Sequence, residues 1–238
     1  MNIAEKLQTI QNIKEDIKTS INNKGGNVGN DFTQYSTAID NLNTGGGITK
    51  IDVAEYGLKF ANSTFVEVPE IFDFSNVTKM DYMFEYCRNL QTFPLIDTSF
   101  IIDMSFMFRF CTSLTSISPL NTSNVTDMSY LFYNATNLIS LPALNTTKVT
   151  RITNYFGTSN LNNLTDVGGW INLNINWNDN NGLVKCPNLT YQSCINILNG
   201  LADVTELGGR TLKVHQNFLD LVGDEISIAV AKSWTITA

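Results

Sequence analysis

His215 is the chain's one histidine, and it follows Thr211-Leu212-Lys213-Val214 with no nucleophile close to it in sequence. Covalent catalysis needs a nucleophile, a base within hydrogen-bond reach and a third group that orients the base. His215 is therefore read as a structural or solvent-facing side chain. Gly168-Gly169, in GGW, and Gly208-Gly209, in GGR, lack the spacing of a phosphate-cradling loop and read as turn glycines. Cys186 and Cys194 stand too far from each other, and from His and Asp, to suggest a zinc site. Asp73 and Asp97 carry the group that glycoside hydrolysis uses, but that reaction needs two carboxylates held at a defined separation. Both begin a repeated unit, where an acceptor that caps turn N–H groups is the simpler role. These residue types predict no catalysis, no cofactor and no metal.

The other chemistry available is recognition. Tyr82, Phe106 and Tyr130 recur every 24 positions, flanked by Tyr86 and Phe110. If the segment around Met80 is helical, Tyr82 falls about 200° around the helix from Met80, opposite the buried stripe. Aromatic rings on an outward face bind protein or sugar well, because they lose little rotamer entropy and pack flat. The competing reading is that the rings pack on one another along the array, or against a neighbouring protomer.

The element that must position these rings is a repeat. Asp73, Asp97, Asn121 and Asn145 open units that read DFSNVTKMDYMFEYCRNLQTFPLI, DTSFIIDMSFMFRFCTSLTSISPL, NTSNVTDMSYLFYNATNLISLPAL and a decaying NTTKVTRITNYFGTSNLNNLTDV. A fixed period in the twenties predicts a solenoid, in which each unit buries its apolar face only against its neighbours. Val77, Met80, Phe84 and Cys87 lie at steps of three and four, as do Ile101, Met104, Phe108 and Cys111, and Val125, Met128, Phe132 and Ala135. That spacing predicts a short helix in each unit. Leu90 and Phe93, Leu114 and Ile117, and Leu138 and Leu141 predict a short strand, ended by Pro94, Pro119 and Pro142. The fold class expected is an α/β solenoid, a leucine-rich-repeat-like stack of strand–helix units. Cys87 and Cys111 share a column with Ala135, which asks for a small buried group; a bridge between the two cysteines is the alternative. The many Asn-x-Ser/Thr triplets come from the repeat itself and read as turn chemistry.

Four regions follow. Residues 1–43 form an N-terminal helical anchoring module and 44–50 a Gly-rich linker. Residues 51–164 form the repeats, with FANSTFVEVPEI at 60–71 as an opening half-unit, and 165–238 the C-terminal capping units. In the first region Ile3, Leu7, Ile10, Ile17 and Ile21 alternate steps of four and three, with Lys14 in one of the apolar positions. Isoleucine at d with Leu or Ile at a favours more than two strands in a parallel coiled coil, so these five residues predict a homotrimer. An amphipathic helix packed on its own chain fits the same pattern. In the cap, Thr190 is expected to cap a helix reaching Leu201, Thr211–Val214 to form a strand, Phe218–Ala231 a helix and Trp234–Thr237 a closing strand.

Composition narrows the partners. The chain has 238 residues, 43% hydrophobic and only 16% charged, with a net charge of −7. Nucleic-acid backbone needs clustered Lys and Arg, and an anionic membrane a basic run; neither is present. No apolar stretch approaches the roughly 18–20 residues of a membrane span. The opening MNIAEKLQTIQNIKEDIK lacks the apolar centre of a signal peptide, so synthesis and folding in a cytoplasm are expected.

The phrase SNVTDMSYLFYNATNLISLPAL resembles the leucine-rich-type repeats of BspA-like surface proteins, whose units run N-V-T-D-M-S-x-M-F-x-x-C-x-x-L. Val77, Met80, Met83, Phe84, Cys87 and Leu90 match that pattern, and the resemblance covers about residues 72–156. The tail, LTYQSCINILNGLADV with TLKV and IAVAKSWTITA, is similar to C-terminal rungs that close such arrays in phage-encoded and gut-bacterial proteins. IKEDIKTSINNKGGNVG with FTQYSTAI is similar to a module near the start of phage tail and fibre proteins. Together these resemblances imply a virion appendage of a phage of the crAss-like kind, assembled in the host cytoplasm and released by lysis. Its expected partners are capsid or tail proteins and a host surface protein or glycan. A secreted BspA-like adhesin and a carbohydrate-active enzyme on a solenoid scaffold are the rival readings.

Overall fold

The computed structural model describes residues 51–54, 59–68, 72–157, 160–174 and 183–238. The expected anchoring module, with Ile3, Leu7, Ile10, Ile17 and Ile21, and the linker at 44–50 lie outside the described residues.

Each repeat contributes very short strands that pair in parallel with the next repeat. β1 (Ile51–Asp52) pairs with β2 (Phe72–Asp73), and β3 (Thr92–Phe93) with β4 (Ser116–Ile117). β5 (Ser140–Leu141) pairs with β7 (Asp166–Val167), and β6 (Leu144–Asn145) with β8 (Trp170–Ile171). Between them, single parallel bridges run Lys79 to Asp103, Asp103 to Asp127 and Asp127 to Arg151, an offset of 24 each time. The offset widens to 26 at Ser140–Asp166 and to 28 at Leu173–Leu201, where the units lengthen.

The helix expected from the three–four spacing in each unit is not what forms. Among the described residues, α-helix occurs only at α1 (Tyr191–Asn199), α2 (Gln216–Val222) and α3 (Ser227–Val230). Met80–Cys87 is instead a run of overlapping turns. The N–H groups of Met83, Glu85 and Cys87 donate to the carbonyls of Met80, Tyr82 and Phe84, three residues back, at 3.1, 3.2 and 3.1 Å. The alternate N–H groups, of Met80, Tyr82, Phe84 and Tyr86, donate across to Asp103, Ser105, Met107 and Arg109 of the next repeat at 2.9, 3.0, 3.0 and 2.8 Å. The same alternation joins Met104, Phe106, Phe108 and Phe110 to Asp127, Ser129, Leu131 and Tyr133. Seven backbone donors between Met80 and Cys87 are thus satisfied, three locally and four by the neighbour, as a buried backbone requires.

The interior is a set of columns. Met80, Met104 and Met128 are fully buried, as are Cys87, Cys111 and Ala135, and Leu90, Leu114 and Leu138. Phe84 and Phe108 stack at 6.0 Å, and Phe108 and Phe132 at 5.6 Å. Cys87 and Cys111 are thiols with no bridge between them: Cys87 donates to the Phe60 carbonyl at 3.0 Å and Cys111 to the Phe84 carbonyl at 3.1 Å.

At the C-terminal end Thr190 caps α1, its hydroxyl accepting from the Ser193 N–H at 3.2 Å. β9 (Arg210–Lys213) and β10 (Trp234–Thr237) pair in parallel over four residues. The continuous helix expected over Phe218–Ala231 is broken: α2 ends at Gly223, whose φ of 48° and ψ of −117° leave the helical region, and a 3₁₀ turn carries the chain to α3. His215 caps α2, its Nδ1 accepting from the Asn217 N–H at 3.1 Å. No helix among the described residues is long and apolar enough to cross a membrane.

Candidate recognition surface

The turn runs set the outward face. In each, the third residue of the first turn and its equivalent four residues later take positive φ: Tyr82 57° and Tyr86 59°, Phe106 61° and Phe110 59°, Tyr130 59° and Asn134 58°. Asn62 and Asn154 hold the same conformation at the ends of these columns. The left-handed region crowds Cβ against the backbone, and Asn tolerates it because its short side chain bonds locally, whereas a bulky residue there is an outlier. All five aromatic residues singled out from the sequence are such outliers. Their outward direction comes from this conformation and not from the far side of a helix, which corrects the 200° construction.

Two ladders result. Tyr82, Phe106 and Tyr130 stack with centroids 4.4 and 4.5 Å apart and planes within 8°. Tyr86 and Phe110 stack at 4.7 Å, also within 8°. The first ladder closes on Asn154, whose Nδ2 donates to the Tyr130 hydroxyl at 2.8 Å. Tyr82 is 41% exposed and the other four are half-buried, so the rings present edges and hydroxyls outward while their faces meet each other.

Between the ladders runs a third column that the sequence reading missed: Glu85, Arg109, Tyr133 and Gly157. The Arg109 guanidinium lies 5.0 to 5.7 Å from the ring centroids of Phe110, Phe106, Tyr133 and Tyr86, and its Nη1 donates to Glu85 Oε1 at 2.8 Å. A cation over ring faces is attracted by their quadrupole, and partial burial strengthens the effect. Its Nε makes no hydrogen bond and sits among the rings. Arg88 lies over Tyr86 at 5.6 Å. Tyr133 lies flat above Gly157, where a Cβ would stand 2.6 Å from the ring. Burial, then the Glu85 carboxylate, raises the Tyr82 phenol above its usual value while Arg109 lowers it, so the hydroxyl stays a neutral donor and acceptor. The signal available in the sequence was opposite charge at the repeat spacing, Glu85 against Arg109.

The remaining candidates for chemistry do not converge. Asp97 Oδ1 accepts from the Ser99 N–H at 2.9 Å, and Asp73 Oδ1 from the Ser75 N–H at 3.0 Å, the turn-capping geometry. Gly168 and Gly169 lie against Ala143 and Asn196 backbone. Among the described residues no group of three or more His, Cys, Asp or Glu is placed to hold a metal ion.

No curated protein and no solved structure matches the chain. The stretch that carries both ladders does match a family: residues 57–170 are similar to the family described as Mycoplasma protein of unknown function, DUF285.

Proposed function

We propose that this chain is a non-enzymatic attachment protein, a leucine-rich-repeat-like solenoid whose aromatic ridge docks on a partner surface. The observation that supports the reading is the ridge itself. Five bulky residues keep a left-handed backbone at about 1–2 kcal/mol each, against three face-to-face contacts at about 0.5–1.5 kcal/mol each. Stacking by itself does not offset that cost, and Asn, which takes the same conformation cheaply, stands in the same columns at Asn62, Asn134 and Asn154. Strained residues of this kind cluster at ligand clamps and other functional sites, which supports a docking role for the ridge.

The setting we propose is a phage particle, with the chain as a fibre or decoration of head or tail. Residues 1–43 anchor and trimerise it, and the repeats reach a host surface protein or glycan, or another virion protein. This rests on the resemblance of the opening segment to phage appendage proteins and of the closing segment to rungs that end such arrays in phage-encoded and gut-bacterial proteins. A secreted BspA-like adhesin is the second reading, favoured by the similarity of residues 57–170 to a family described from Mycoplasma. A solenoid carbohydrate-active enzyme has less behind it.

The test is adhesion of the labelled full chain to host cells, comparing the natural sequence with Tyr82→Asn/Phe106→Asn/Tyr130→Asn. Asparagine keeps the backbone conformation and removes the rings, so the fold survives and binding is expected to weaken about tenfold or more. Unchanged adhesion by a folded triple variant removes the ridge from the mechanism. Proteomics of purified particles against cell-envelope fractions separates the two settings. Cleavage of a polysaccharide by the purified chain overturns the non-enzymatic reading.

A further inference from the structure

A cleft of about 320 Å³ opens where β8 meets the C-terminal end of α1, away from the aromatic ridge. Two glycines line it: Gly168 lies against Ala143 N and Gly200 against Trp170 O, so a side chain at either position would run into main chain. Trp170, Asn172, Asn196, Asn199 and Ile171, which is 48% exposed, complete its lining. No residue lining it is charged.

Two of the carboxamides are already oriented. Asn196 donates through Nδ2 to the Val167 carbonyl at 3.3 Å and accepts at Oδ1 from Gln192 Nε2 at 2.9 Å. Asn172, held at φ 59°, donates through Nδ2 to Thr147 Oγ1 at 3.0 Å. Asn199 is exposed at the last turn of α1. A carboxamide both donates and accepts, which matches vicinal hydroxyls, and the half-exposed Ile171 supplies an apolar platform for a C–H face. The carbonyl-bearing end of α1 disfavours an anion, and the nearby Lys232 ammonium is spent on the carbonyls of Asn199 and Leu201 at 2.9 and 2.8 Å. The volume stands at the small end of ligand sites.

We propose that this cleft binds one neutral sugar residue, a hexose or N-acetylhexosamine. The site is independent of the aromatic ridge, and its success or failure leaves the docking reading untouched.

The experiment titrates neutral hexoses, an N-acetylhexosamine and a uronic acid into the isotopically labelled full chain and follows side-chain amide resonances. A neutral sugar is expected to shift the amides of Asn172, Asn196 and Asn199 with a dissociation constant on the order of 1 mM. Asn199→Ala and Ile171→Ser, both at exposed positions that leave the fold intact, weaken it about tenfold, while Leu95→Ser, at an exposed position outside the ridge and the cleft, leaves the affinity unchanged. Amides that stay still at about ten times that concentration, shifts produced by the uronic acid alone, or full affinity in both variants each overturn the proposal.

Discussion

The rings of Tyr82 and Phe106 lie 4.4 Å apart and within 8° of parallel, although both residues hold a φ near 60° that bulky side chains avoid. One backbone requirement, repeated at the period of the chain, has become a ladder of rings. The left-handed residue turns its side chain outward, and in-register pairing brings the next copy directly above it.

The ladder makes substitution at Phe106 order in an unusual way. Phe106→Asn loses two stacking contacts, about 0.5–1.5 kcal/mol each, and regains part of that from relief of strain. Phe106→Val loses the same contacts and keeps a β-branched residue at positive φ, so urea denaturation is expected to place it about 1 kcal/mol below the Asn variant. Equal stability of the two means that the left-handed conformation carries no cost.

Two glycines separate space from conformation. Gly208 has φ 77° and open surroundings, so Gly208→Ala is expected to cost about 1 kcal/mol, from strain alone. Gly200 has an ordinary φ of −74°, but a Cβ there meets the Trp170 carbonyl, main chain that cannot swing aside as a flexible side chain can. Gly200→Ala is expected to lower the midpoint of thermal unfolding further than Gly208→Ala, and the reverse order contradicts the packing of α1 against β8.

The acid limb of stability has named sources. The Ser99 N–H, then the Ser99 hydroxyl, holds the Asp97 carboxyl below its usual value, and the Thr205 N–H does the same for Asp203. A folded-state value below the unfolded one makes a contribution that is present above the ordinary carboxylate range and lost as pH falls through the lowered value. Asp97→Asn with Asp203→Asn is expected to flatten that part of a melting-temperature profile. Both turns are kept, because Asn145 already accepts from the Thr147 N–H at 2.9 Å in the same role. A profile of unchanged slope removes these two caps as its source.

Cys87 and Cys111 are expected to resist alkylation at neutral pH. Burial pushes the Cys87 thiol up to about 11 and the Cys111 thiol well above its usual value, and the thiolate is the reacting form. Iodoacetamide labelling should follow the rate of unfolding and reach both residues in denaturant. Fast labelling of the native chain, or none in denaturant without reductant, contradicts free buried thiols.

Thr190→Ala removes the hydroxyl that accepts from the Ser193 N–H and should cost about 1 kcal/mol. Thr190→Ser should restore most of it, as read by chemical denaturation.

The sequence by itself determined which positions are inside and how far apart their copies stand. The 24-residue period, the buried columns of Met80, Phe84, Cys87 and Leu90, the Thr190 cap and the paired strands near Thr211 and Trp234 are local matters of hydrophobicity, size and capping chemistry. Only the tertiary structure decided what the segment from Met80 to Cys87 does with its backbone. Apolar residues at steps of three and four suit a helix and a run of overlapping four-residue turns alike. A helix would send each N–H four residues back within its own segment. Here every second N–H reaches the next repeat instead, and that partner exists only once the repeats lie in register. The same in-register pairing stacks the rings of Tyr82 and Tyr86 on those of Phe106 and Phe110 and brings Arg109 to Glu85, so the aromatic ridge is a product of neighbouring repeats that no single unit encodes.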